Sequence, residues 1–358
     1  MTNSIIEGIE AFRRGEIVVV TDDDDREGEG DIVVAASLCT PEKMAFIVRH
    51  SSGIVCTPLT QDEARRLRLD PMVSANDSAH TTAFTVSIDY RHGTTTGISA
   101  DDRTTTVRAL ANPNAGANDF ARPGHIFPLI AKDGGVLMRS GHTEAAVDLC
   151  QLAGLSPIGV ISELVNDDGT VTKGAQVAEF ARRHKLKSIT IADLIAYRQA
   201  REKLVERVSI FTCESPIGEL QGYAYRTPFD PVFHMAFVYG DIGDGKNVLT
   251  RFHRVNIIAD IFQGARSVHA ALDRFRQEGR GVLVYLRDGS AGVPATPIEQ
   301  GSSSEDLRTR QWREVGVGAQ ILRDLGVSSI RHLSNANRSY VGLSGFGIEI
   351  ADQAPFDW

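Results

Sequence analysis

The sequence predicts two domains of the α+β or mixed α/β class. At 358 residues the chain exceeds the length at which a single hydrophobic core usually stops growing. Strand-like and helix-like segments alternate along it, which is typical of sheets covered by helices. Residues 198–207 are charged and favour a helix without any Gly or Pro, so we predict a linker there. The expected domains are therefore residues 1–200 and 206–358.

Local patterns predict the elements of the first half. Two β-branched runs, EIVVVTD and DIVVAAS, indicate strands on either side of an acidic loop, and TAFTVSID alternates as a further strand. Helices are predicted where capping residues accompany an apolar pattern of helical spacing. These segments are TPEKMAFIVRHSS with Thr40, SADDRTTTVRALA with Ser99, HTEAAVDLCQLAG ending at Gly154, and SITIADLIAYR with Thr190.

The second half mixes the same two kinds of segment. Strand-like runs VSIFTCES, LQGYAYR and HMAFVYGDI come first, and GVLVYLRD follows a helix-like segment, SVHAALDRFRQEG. The chain closes with the helix-like GVGAQILRDLG and a glycine-punctuated tail. No repeat relates the two halves, so we expect two different domains.

Composition and charge exclude several classes of protein. The formal net charge is −8 and the pI is near 5.7, which argues against nucleic-acid binding because that function needs a basic surface. The four cysteines contain no CxxC pair, so neither a disulfide framework nor a thiolate zinc site is expected. No signal-type segment and no run of 18 apolar residues occur. We expect a cytoplasmic protein that does not enter a membrane.

An acidic loop, TDDDDREGEGD, separates the first two predicted strands. Residues 22–31 hold seven carboxylates and one arginine, and so carry −6 of the net −8. A solvated turn is the ordinary interpretation of such a run. An EF-hand starting at Asp23 is excluded because Val34 stands where a bidentate Glu is needed. A hard-cation site of one or two carboxylates plus substrate oxygens, as magnesium uses, stays open.

Two histidines follow glycines in the motifs RPGHIFPL and MRSGHTEAAVDL. A histidine alone is more often a structural hydrogen-bonding residue. In the second motif, however, a predicted helix N-terminus stands beside Arg139 and the hydroxyls of Ser140 and Thr143, a combination suited to a phosphate monoester. His142 could complete a metal's coordination shell there, and His125 could act as an acid or base.

Two further features allow a structural and a functional interpretation. The segment GTTTGISADDRTTTVRAL is either a threonine-rich strand with a capped helix or a hydroxyl-lined wall that hydrogen-bonds a sugar. Glu163 follows an apolar strand in GVISELVNDDGT. Neither feature decides the function alone.

Six blocks occur in a fixed order along the first half: DREGEGD, HSSGIVC, TTTGISADDRTTTVRAL, RPGHIFPL, RSGHTEAAVDLCQLAG and VISEL. Over residues 1–200 they resemble the 3,4-dihydroxy-2-butanone 4-phosphate synthase family of riboflavin biosynthesis. The resemblance implies a synthase-type α+β fold and a lyase that converts D-ribulose 5-phosphate into L-3,4-dihydroxy-2-butanone 4-phosphate and formate. It also implies Mg²⁺ or Mn²⁺ as cofactor and a homodimer with sites near the subunit interface.

The resemblance also assigns roles to individual residues. Glu27 and His142 correspond to the metal ligands, and His125 and Glu163 to the essential catalytic pair. Further active-site positions are Glu29, Cys56 and Thr106. Contacts to the substrate and its phosphate correspond to Arg26, Glu27, Asp31, Arg139, Ser140, Gly141, His142, Thr143 and Glu163.

The implied reaction needs residues of these types. Removing a proton beside a ketone requires a base, and a cation holds the charge of the enediolate. Loss of the C1 hydroxyl needs an acid, and a skeletal shift then releases C4 as formate. Carboxylates and a histidine with pKa values set apart by their surroundings could serve these steps in turn. Which residue performs each transfer stays open.

The second half resembles GTP cyclohydrolase II in blocks such as VERVSIFTCESPIGELQGYAYR, VYGDIGDGKNVLTRFHR and YVGLSGFGIEI. That family holds zinc on three cysteines after a strand like TRFHR, where this chain has VNIIADIFQGARSVHAAL. Without thiolates no zinc-activated water can form. The phosphate loop is altered to DGSAGVP, and Gln311 replaces an Asp although Arg313 remains. We therefore predict an α/β fold of that family that lacks zinc and cyclohydrolase activity.

Two alternatives stay open for this second domain. A bifunctional enzyme would contain zinc and release formate from GTP. A binding or regulatory module would dock other riboflavin-pathway proteins or sense a nucleotide or flavin.

Overall fold

The computed structural model describes residues 2–22, 28–78, 82–203, 205–228, 230–287, 316–334 and 348–354. The chain forms two compact units, Met1–Tyr197 and Arg198–Trp358. In the described residues each unit contains a seven-stranded sheet with helices in contact with it. The predicted fold class, two domains that mix helices and sheets, is confirmed.

The first unit is built on a mixed sheet. Its strands are β1 (Val18–Thr21), β2 (Gly30–Ala35), β3 (Cys56–Leu59), β4 (Ile88–Tyr90), β5 (Phe120–Ile130), β6 (Gly159–Glu163) and β7 (Lys187–Thr190). They stand in the order β4-β5-β3-β6-β2-β1-β7. The pairs β1/β7 and β3/β5 are parallel and the other pairs are antiparallel. Strands that are distant in sequence therefore become neighbours.

Several helices of this unit begin at the predicted capping residues. The bounds are α1 (Thr2–Arg13), α2 (Pro41–His50), α3 (Gln61–Leu67), α4 (Ala100–Leu110), α5 (His142–Leu152), α6 (Ala175–Arg183) and α7 (Ile191–Arg201). The Thr40 hydroxyl accepts from the amide of Lys43, and the Ser99 hydroxyl accepts from the amide of Asp102. The predicted starts of α2 and α4 are thus confirmed.

Among the described helices of both units, none has the length and apolar character needed to cross a bilayer.

The predicted strands around the acidic loop pair with each other. β1 and β2 are antiparallel, with Val18 opposite Val33 and Thr21 opposite Gly30. β2 is buried along its whole length, which explains its continuous apolar run. Asp31 lies within this strand, and burying a carboxylate costs free energy unless another group compensates it. The position of Asp31 is therefore the first sign of a site.

The second unit has a different sheet. Its strands are β8 (Glu206–Ser215), β9 (Gly218–Thr227), β10 (Asp230–Tyr239), β11 (Val248–Arg254), β12 (Gly281–Leu286), β13 (Ser329–Leu333) and β14 (Glu349–Ala354). They stand in the order β14-β13-β11-β12-β10-β9-β8, antiparallel from β8 to β10 and parallel among β11, β12, β13 and β14. Two helices, α8 (Arg266–Glu278) and α9 (Gly318–Asp324), belong to this unit.

The predicted linker contains the end of one helix and the start of one strand. α7 continues to Arg201 and β8 begins at Glu206. Part of the segment 198–207 is therefore helical, as its composition favours. Within the second unit, Nε2 of Gln320 donates to the carbonyl of Glu202 at 2.8 Å. The domain limits 1–200 and 206–358 stay a prediction.

Candidate active site

A cavity of about 150 Å³ lies in the first unit where β2, β3 and β6 meet the start of α5. It brings together residues that are far apart in sequence. Six of the predicted site residues line it: Asp31, Cys56, Arg139, His142, Thr143 and Glu163. The cavity is therefore the candidate active site.

Two carboxylates stand opposite each other in this cavity. Asp31 of β2 and Glu163 of β6 are partners in the antiparallel ladder, so their side chains share one face of the sheet. Asp31 is 2% exposed, whereas Glu163, the last residue of β6, is exposed. Like charges in this arrangement are destabilising unless a cation or a proton offsets them. The pair therefore marks a place suited to a cation.

Cys56 stands on the neighbouring strand β3, beside Ile161 of β6. Burial raises the pKa of its thiol, and the charges of Asp31 and Glu163 raise it further. A thiol with a raised pKa stays protonated at neutral pH. Cys56 can therefore offer a neutral thiol to the cavity but not a thiolate nucleophile.

A buried ion pair holds Arg139 in the cavity wall. Nη1 of Arg139 lies 2.7 Å from Oε2 of Glu144, and its Nη2 donates to the Thr82 hydroxyl at 3.2 Å. The side chains of Arg139 and Glu144 are 7% and 1% exposed. Burial raises the pKa of the Glu144 carboxyl, and the nearby guanidinium opposes this rise. Oε1 of Glu144 accepts from the Lys132 amide at 3.0 Å, so both oxygens of this carboxylate are engaged.

Gly141 makes room for this ion pair at the start of α5. It is the N-cap residue, its backbone is extended, and it leaves the helix without a side-chain cap. A Cβ at this position would stand 2.4 Å from Nη1 of Arg139 and 2.9 Å from Oε2 of Glu144. The first-turn amides and the Thr143 hydroxyl thus meet beside a guanidinium, which suits a phosphate. Ser140 precedes Gly141, and neither is among the residues that line the cavity.

His142 offers a buried nitrogen. The residue is 7% exposed, and its Nε2 has no hydrogen-bond partner among the described residues. Its Nδ1 lies 3.7 Å from Oδ1 of Asp31, which is longer than a hydrogen bond. Burying an imidazole nitrogen without a hydrogen-bond partner costs free energy. Together with the nearby carboxylates, this nitrogen forms a set of donor atoms of the kind that binds a divalent cation. These residues therefore fit a divalent metal ion.

Two predicted site residues of the acidic loop, Arg26 and Glu27, lie outside the described residues. Glu29 is described: its Oε1 lies 3.1 Å from Nζ of Lys173, and its amide donates to Oδ1 of Asp22 at 2.9 Å. Glu29 is not among the residues that line the cavity. In the described part of the chain no three His, Cys, Asp or Glu residues are grouped to hold a metal. That part alone therefore supplies an incomplete ligand set.

Two other predicted residues do not line the cavity. His125 of β5 is hydrogen-bonded to Asp89 of β4. Thr106 is buried in α4, where its hydroxyl donates to the Asp102 carbonyl at 3.0 Å and accepts from the Tyr90 amide at 3.0 Å. The Thr106 hydroxyl is thus hydrogen-bonded to two backbone groups. This arrangement points to a structural role in holding α4 against β4.

The sequence patterns did not reveal the rest of the cavity wall. Glu144, which does not line the cavity but pairs with Arg139, had a visible signal, a carboxylate in a first helical turn five residues after an arginine. The wall residues that were not predicted lie on strands or loops whose patterns do not differ from those of core segments. They are Ile54, Thr82, Phe84, Leu129, Ile161 and Ser162.

The family model of 3,4-dihydroxy-2-butanone 4-phosphate synthase matches residues 7–197, more than half of the chain. The chain belongs to this synthase family. It is thus an enzyme of riboflavin biosynthesis. The matched residues include all six predicted residues of the cavity. The model of GTP cyclohydrolase II matches residues 206–355.

Curated relatives match nearly the whole synthase chain. "Bifunctional riboflavin biosynthesis protein RIBA 1, chloroplastic" of Arabidopsis thaliana is 46% identical, over 99% of this chain and 69% of the relative. "Riboflavin biosynthesis protein RibBA" of Bacillus mycoides is 44% identical, over 99% of this chain and 94% of the relative. "Monofunctional riboflavin biosynthesis protein RIBA 2, chloroplastic" of Arabidopsis thaliana is 45% identical, over 98% of this chain and 76% of the relative. The names of these relatives thus include both a bifunctional and a monofunctional protein.

Solved structures also resemble the synthase. RibBX, a two-domain 3,4-dihydroxy-2-butanone 4-phosphate synthase from A. baumannii, is 37% identical with a TM-score of 0.81, over 96% of this chain and 98% of that one. A 3,4-dihydroxy-2-butanone 4-phosphate synthase in complex with two magnesium ions is 48% identical with a TM-score of 0.54. The second covers 55% of this chain and 97% of its own.

In the second unit of the synthase a hydrogen-bonded network joins β11 and β12 to the segment that follows β11. Nε2 of His253 lies 2.9 Å from Oδ1 of Asp260, and the Tyr285 hydroxyl donates to Oδ2 of Asp260 at 2.9 Å. The rings of His253 and Tyr285 stack with centroids 5.1 Å apart. Cys213 lies on β8, before this segment in the chain. Three features noted in the sequence lie outside the described residues: the altered phosphate loop at 288–294, Gln311 and Arg313.

Replacing Glu144 with Gln should destabilise the first unit. The change removes one charge of a buried pair without changing its shape, and an uncompensated Arg139 should lower the free energy of unfolding by about 3 kcal/mol. Unfolding in denaturant, followed by far-ultraviolet circular dichroism, measures this loss. The matched control is Glu63→Gln, whose ion pair with Arg66 is partly exposed and should contribute about 1 kcal/mol or less. Equal losses for both variants would contradict the expectation.

Proposed function

We propose that this enzyme converts D-ribulose 5-phosphate into L-3,4-dihydroxy-2-butanone 4-phosphate and formate. The observation that carries the proposal is one cavity in which buried His142 and the paired carboxylates Asp31 and Glu163 meet Arg139 at the start of α5. Such a cavity suits a cation and a phosphate together. A sugar phosphate that forms an enediolate needs both.

The phosphate of the substrate is proposed to bind at the start of α5. Arg139 supplies the positive charge, Thr143 a hydroxyl, and the first-turn amides of His142 and Thr143 further donors, whereas the Gly141 amide donates to the Arg139 carbonyl at 2.9 Å. The ion pair with Glu144 supports this role because it holds the guanidinium in one position before the substrate arrives. Arg26 and Asp31 are proposed to contact the rest of the sugar.

Mg²⁺ or Mn²⁺ is the proposed cofactor, with Glu27 and His142 as its protein ligands. When bound, the ion would draw negative charge from the ketone and hydroxyl oxygens of the substrate. The buried Nε2 of His142 supports this assignment. So does the related synthase that was solved with two magnesium ions.

The remaining carboxylates are proposed to move protons. Glu163 and Asp31 face the cavity from neighbouring strands, so a proton taken from the carbon beside the ketone can pass to a carboxylate there. Departure of the C1 hydroxyl requires a proton donor, and the Cys56 thiol, kept neutral by its raised pKa, can donate a hydrogen bond beside that pair. Glu29 is proposed to serve the same steps from the acidic loop.

His125 completes the proposed set, and we infer that it does so across a homodimer. Within one chain it does not line the cavity, and its side chain is 42% exposed. In a two-fold dimer the same surface of both chains meets, so an exposed group of one subunit can complete the partner's site. The family resemblance, which implies sites near the subunit interface, supports the same arrangement.

Purified enzyme should release formate from ribulose 5-phosphate in the presence of Mg²⁺, and this release should stop after EDTA treatment. His142→Ala should lower kcat/KM by about a hundredfold or more because it removes a proposed metal ligand. A coupled formate assay measures both effects. His269→Ala changes an exposed histidine of the second unit and serves as the control. Wild-type enzyme that releases no metal-dependent formate would exclude the proposed reaction.

Subunits with different defects should complement each other. Chains carrying His125→Gln and Glu163→Gln are co-expressed with different affinity tags, and the mixed dimer is isolated. If each site uses His125 of one subunit and Glu163 of the other, one of two sites is intact and about half of the wild-type activity returns. A mixed dimer of wild-type and His125→Gln chains controls for assembly. An inactive His125→Gln/Glu163→Gln dimer would place both residues in the same subunit's site.

For the second unit we propose a cyclohydrolase-like fold without zinc chemistry. The segment after β11 contains no cysteine up to the end of α8, and a thiolate zinc site needs several. Among the described residues, hydrogen bonds among His253, Asp260 and Tyr285 stabilise this segment. The bifunctional relatives favour the alternative of retained GTP cyclohydrolase II activity. A binding or regulatory module is the third possibility and agrees with a fold kept after its chemistry is lost.

Metal analysis and a GTP assay should separate these possibilities. We expect less than one zinc per ten chains in purified protein and no formate from GTP, while ribulose 5-phosphate turnover continues. One zinc per chain together with formate from GTP would establish the bifunctional enzyme. Saturable GTP binding in calorimetry, without turnover, would assign a binding role to the second unit.

A further inference from the structure

Asp89 and His125 form a close pair outside the cavity wall. Oδ2 of Asp89 lies 2.7 Å from Nδ1 of His125, and Oδ1 accepts from the backbone amide of the same histidine at 2.9 Å. The Asp89 side chain is 14% exposed, whereas that of His125 is 42% exposed. One carboxylate thus contacts both the backbone and the ring of the histidine. The histidine side chain is nevertheless partly exposed to solvent.

The local strand geometry explains the contact with the backbone. β4 and β5 pair at Ile88 and Ile126 and again at Asp89 and Ala121, so residues 122–125 bulge out of the ladder. The bulge turns the His125 amide away from the regular strand pairing and toward Oδ1 of Asp89. The carboxylate therefore fixes where this histidine sits on the strand.

The threonine-rich segment covers the pair. Gly97 packs so closely that a Cβ would stand 2.0 Å from Oδ2 of Asp89 and 2.7 Å from Nδ1 of His125. Its amide donates to Oδ2 of Asp102, which also accepts from the Thr95 hydroxyl. Gly97 has a positive φ of 87°, which a side chain would strain as well. The turn is thus shaped to cover Nδ1.

Other contacts hold the strand that carries Asp89. Thr106 accepts from the amide of Tyr90, the residue after Asp89. The positive charge of Arg103 interacts with Asp89, while Nη1 of Arg103 donates to the Gly53 carbonyl at 3.2 Å. These contacts hold the strand that carries the Asp89 carboxylate at a fixed position.

We propose that Asp89 is a positioning residue that holds His125 in the tautomer with its proton on Nδ1. A carboxylate can only accept, so Nδ1 must donate to it. Nε2 then carries the lone pair and is the ring atom that can take a proton from a substrate. This inference rests on the acid/base role of His125 in the proposed function.

Asp89→Asn provides a sharp test. The backbone amide of His125 orients the asparagine, because only the side-chain oxygen can accept from it. The amide NH₂ then faces Nδ1, which must become an acceptor, so the ring proton moves to Nε2. The substitution should therefore reverse the tautomer with almost no change in shape.

The tautomer is read by long-range ¹H–¹⁵N correlation spectra of full-length protein labelled on histidine, with His125→Gln identifying the His125 signals. The wild-type ring should show a protonated Nδ1 and a bare Nε2, and Asp89→Asn should show the reverse. The variant should lower kcat by about a hundredfold with KM within about twofold, since binding groups are unchanged.

Asp119→Asn is the matched control. It changes the exposed pair between His92 and Asp119, whose Nε2 and Oδ1 atoms lie 3.1 Å apart. It should alter neither the His125 signals nor kcat. Wild-type protein with the proton on Nε2 of His125, or an Asp89→Asn variant with an unchanged tautomer, would overturn the inference. Full activity of His125→Gln would instead refute the catalytic role of His125, and the spectra would still decide the role of Asp89.

Discussion

The antiparallel pairing of β2 with β6 is the contact on which the proposed site depends. It sets Asp31 opposite Glu163 and brings both beside Cys56 of β3. Because side chains alternate along a strand, a slip by one residue would turn Asp31 to the other face of the sheet. The buried apolar residues Ile32 and Val34 oppose such a slip. The hydrophobic core thus holds two carboxylates opposite each other, where a cation or a proton offsets their charges.

Two nitrogen-bearing side chains, Arg139 in the cavity wall and His125 outside it, are each held by a carboxylate that the protein itself supplies. Glu144 engages Arg139 inside the unit, where separation of the charges would leave one of them buried and unpaired. Such a pair contributes little net stability but fixes a guanidinium before a substrate binds. Asp89 relates to His125 in the same manner, with a hydrogen bond to the backbone and one to the ring. Preorganised polar groups of this kind are what a reaction through a charged intermediate demands.

If the second unit holds no zinc, as we propose, its fold persists without a metal site. A structural or catalytic metal site ties a loop to its strands through coordinate bonds. In this chain hydrogen bonds among His253, Asp260 and Tyr285 hold the segment after β11, and the rings of His253 and Tyr285 stack. Hydrogen bonds and stacking can hold the loop in place but cannot activate a water molecule as zinc does. Retention of the fold is therefore a weak indicator of retained chemistry.

The sequence by itself determined the local features of this protein. The strands beside the acidic loop and the helix starts at Thr40 and Ser99 follow from short-range periodicity and capping, which need no knowledge of the rest of the chain. The ordered motifs also identified the family and six residues of the cavity.

Only the tertiary structure decided which of these residues meet and what each one contacts. Asp31 and Glu163 become neighbours through a strand order that no local pattern encodes. The partners Glu144 and Asp89 emerged in the same way, and the Thr106 hydroxyl proved to serve the backbone. The physical reason is that a side chain's partner depends on packing between segments far apart in sequence, whereas capping and periodicity act within a few residues.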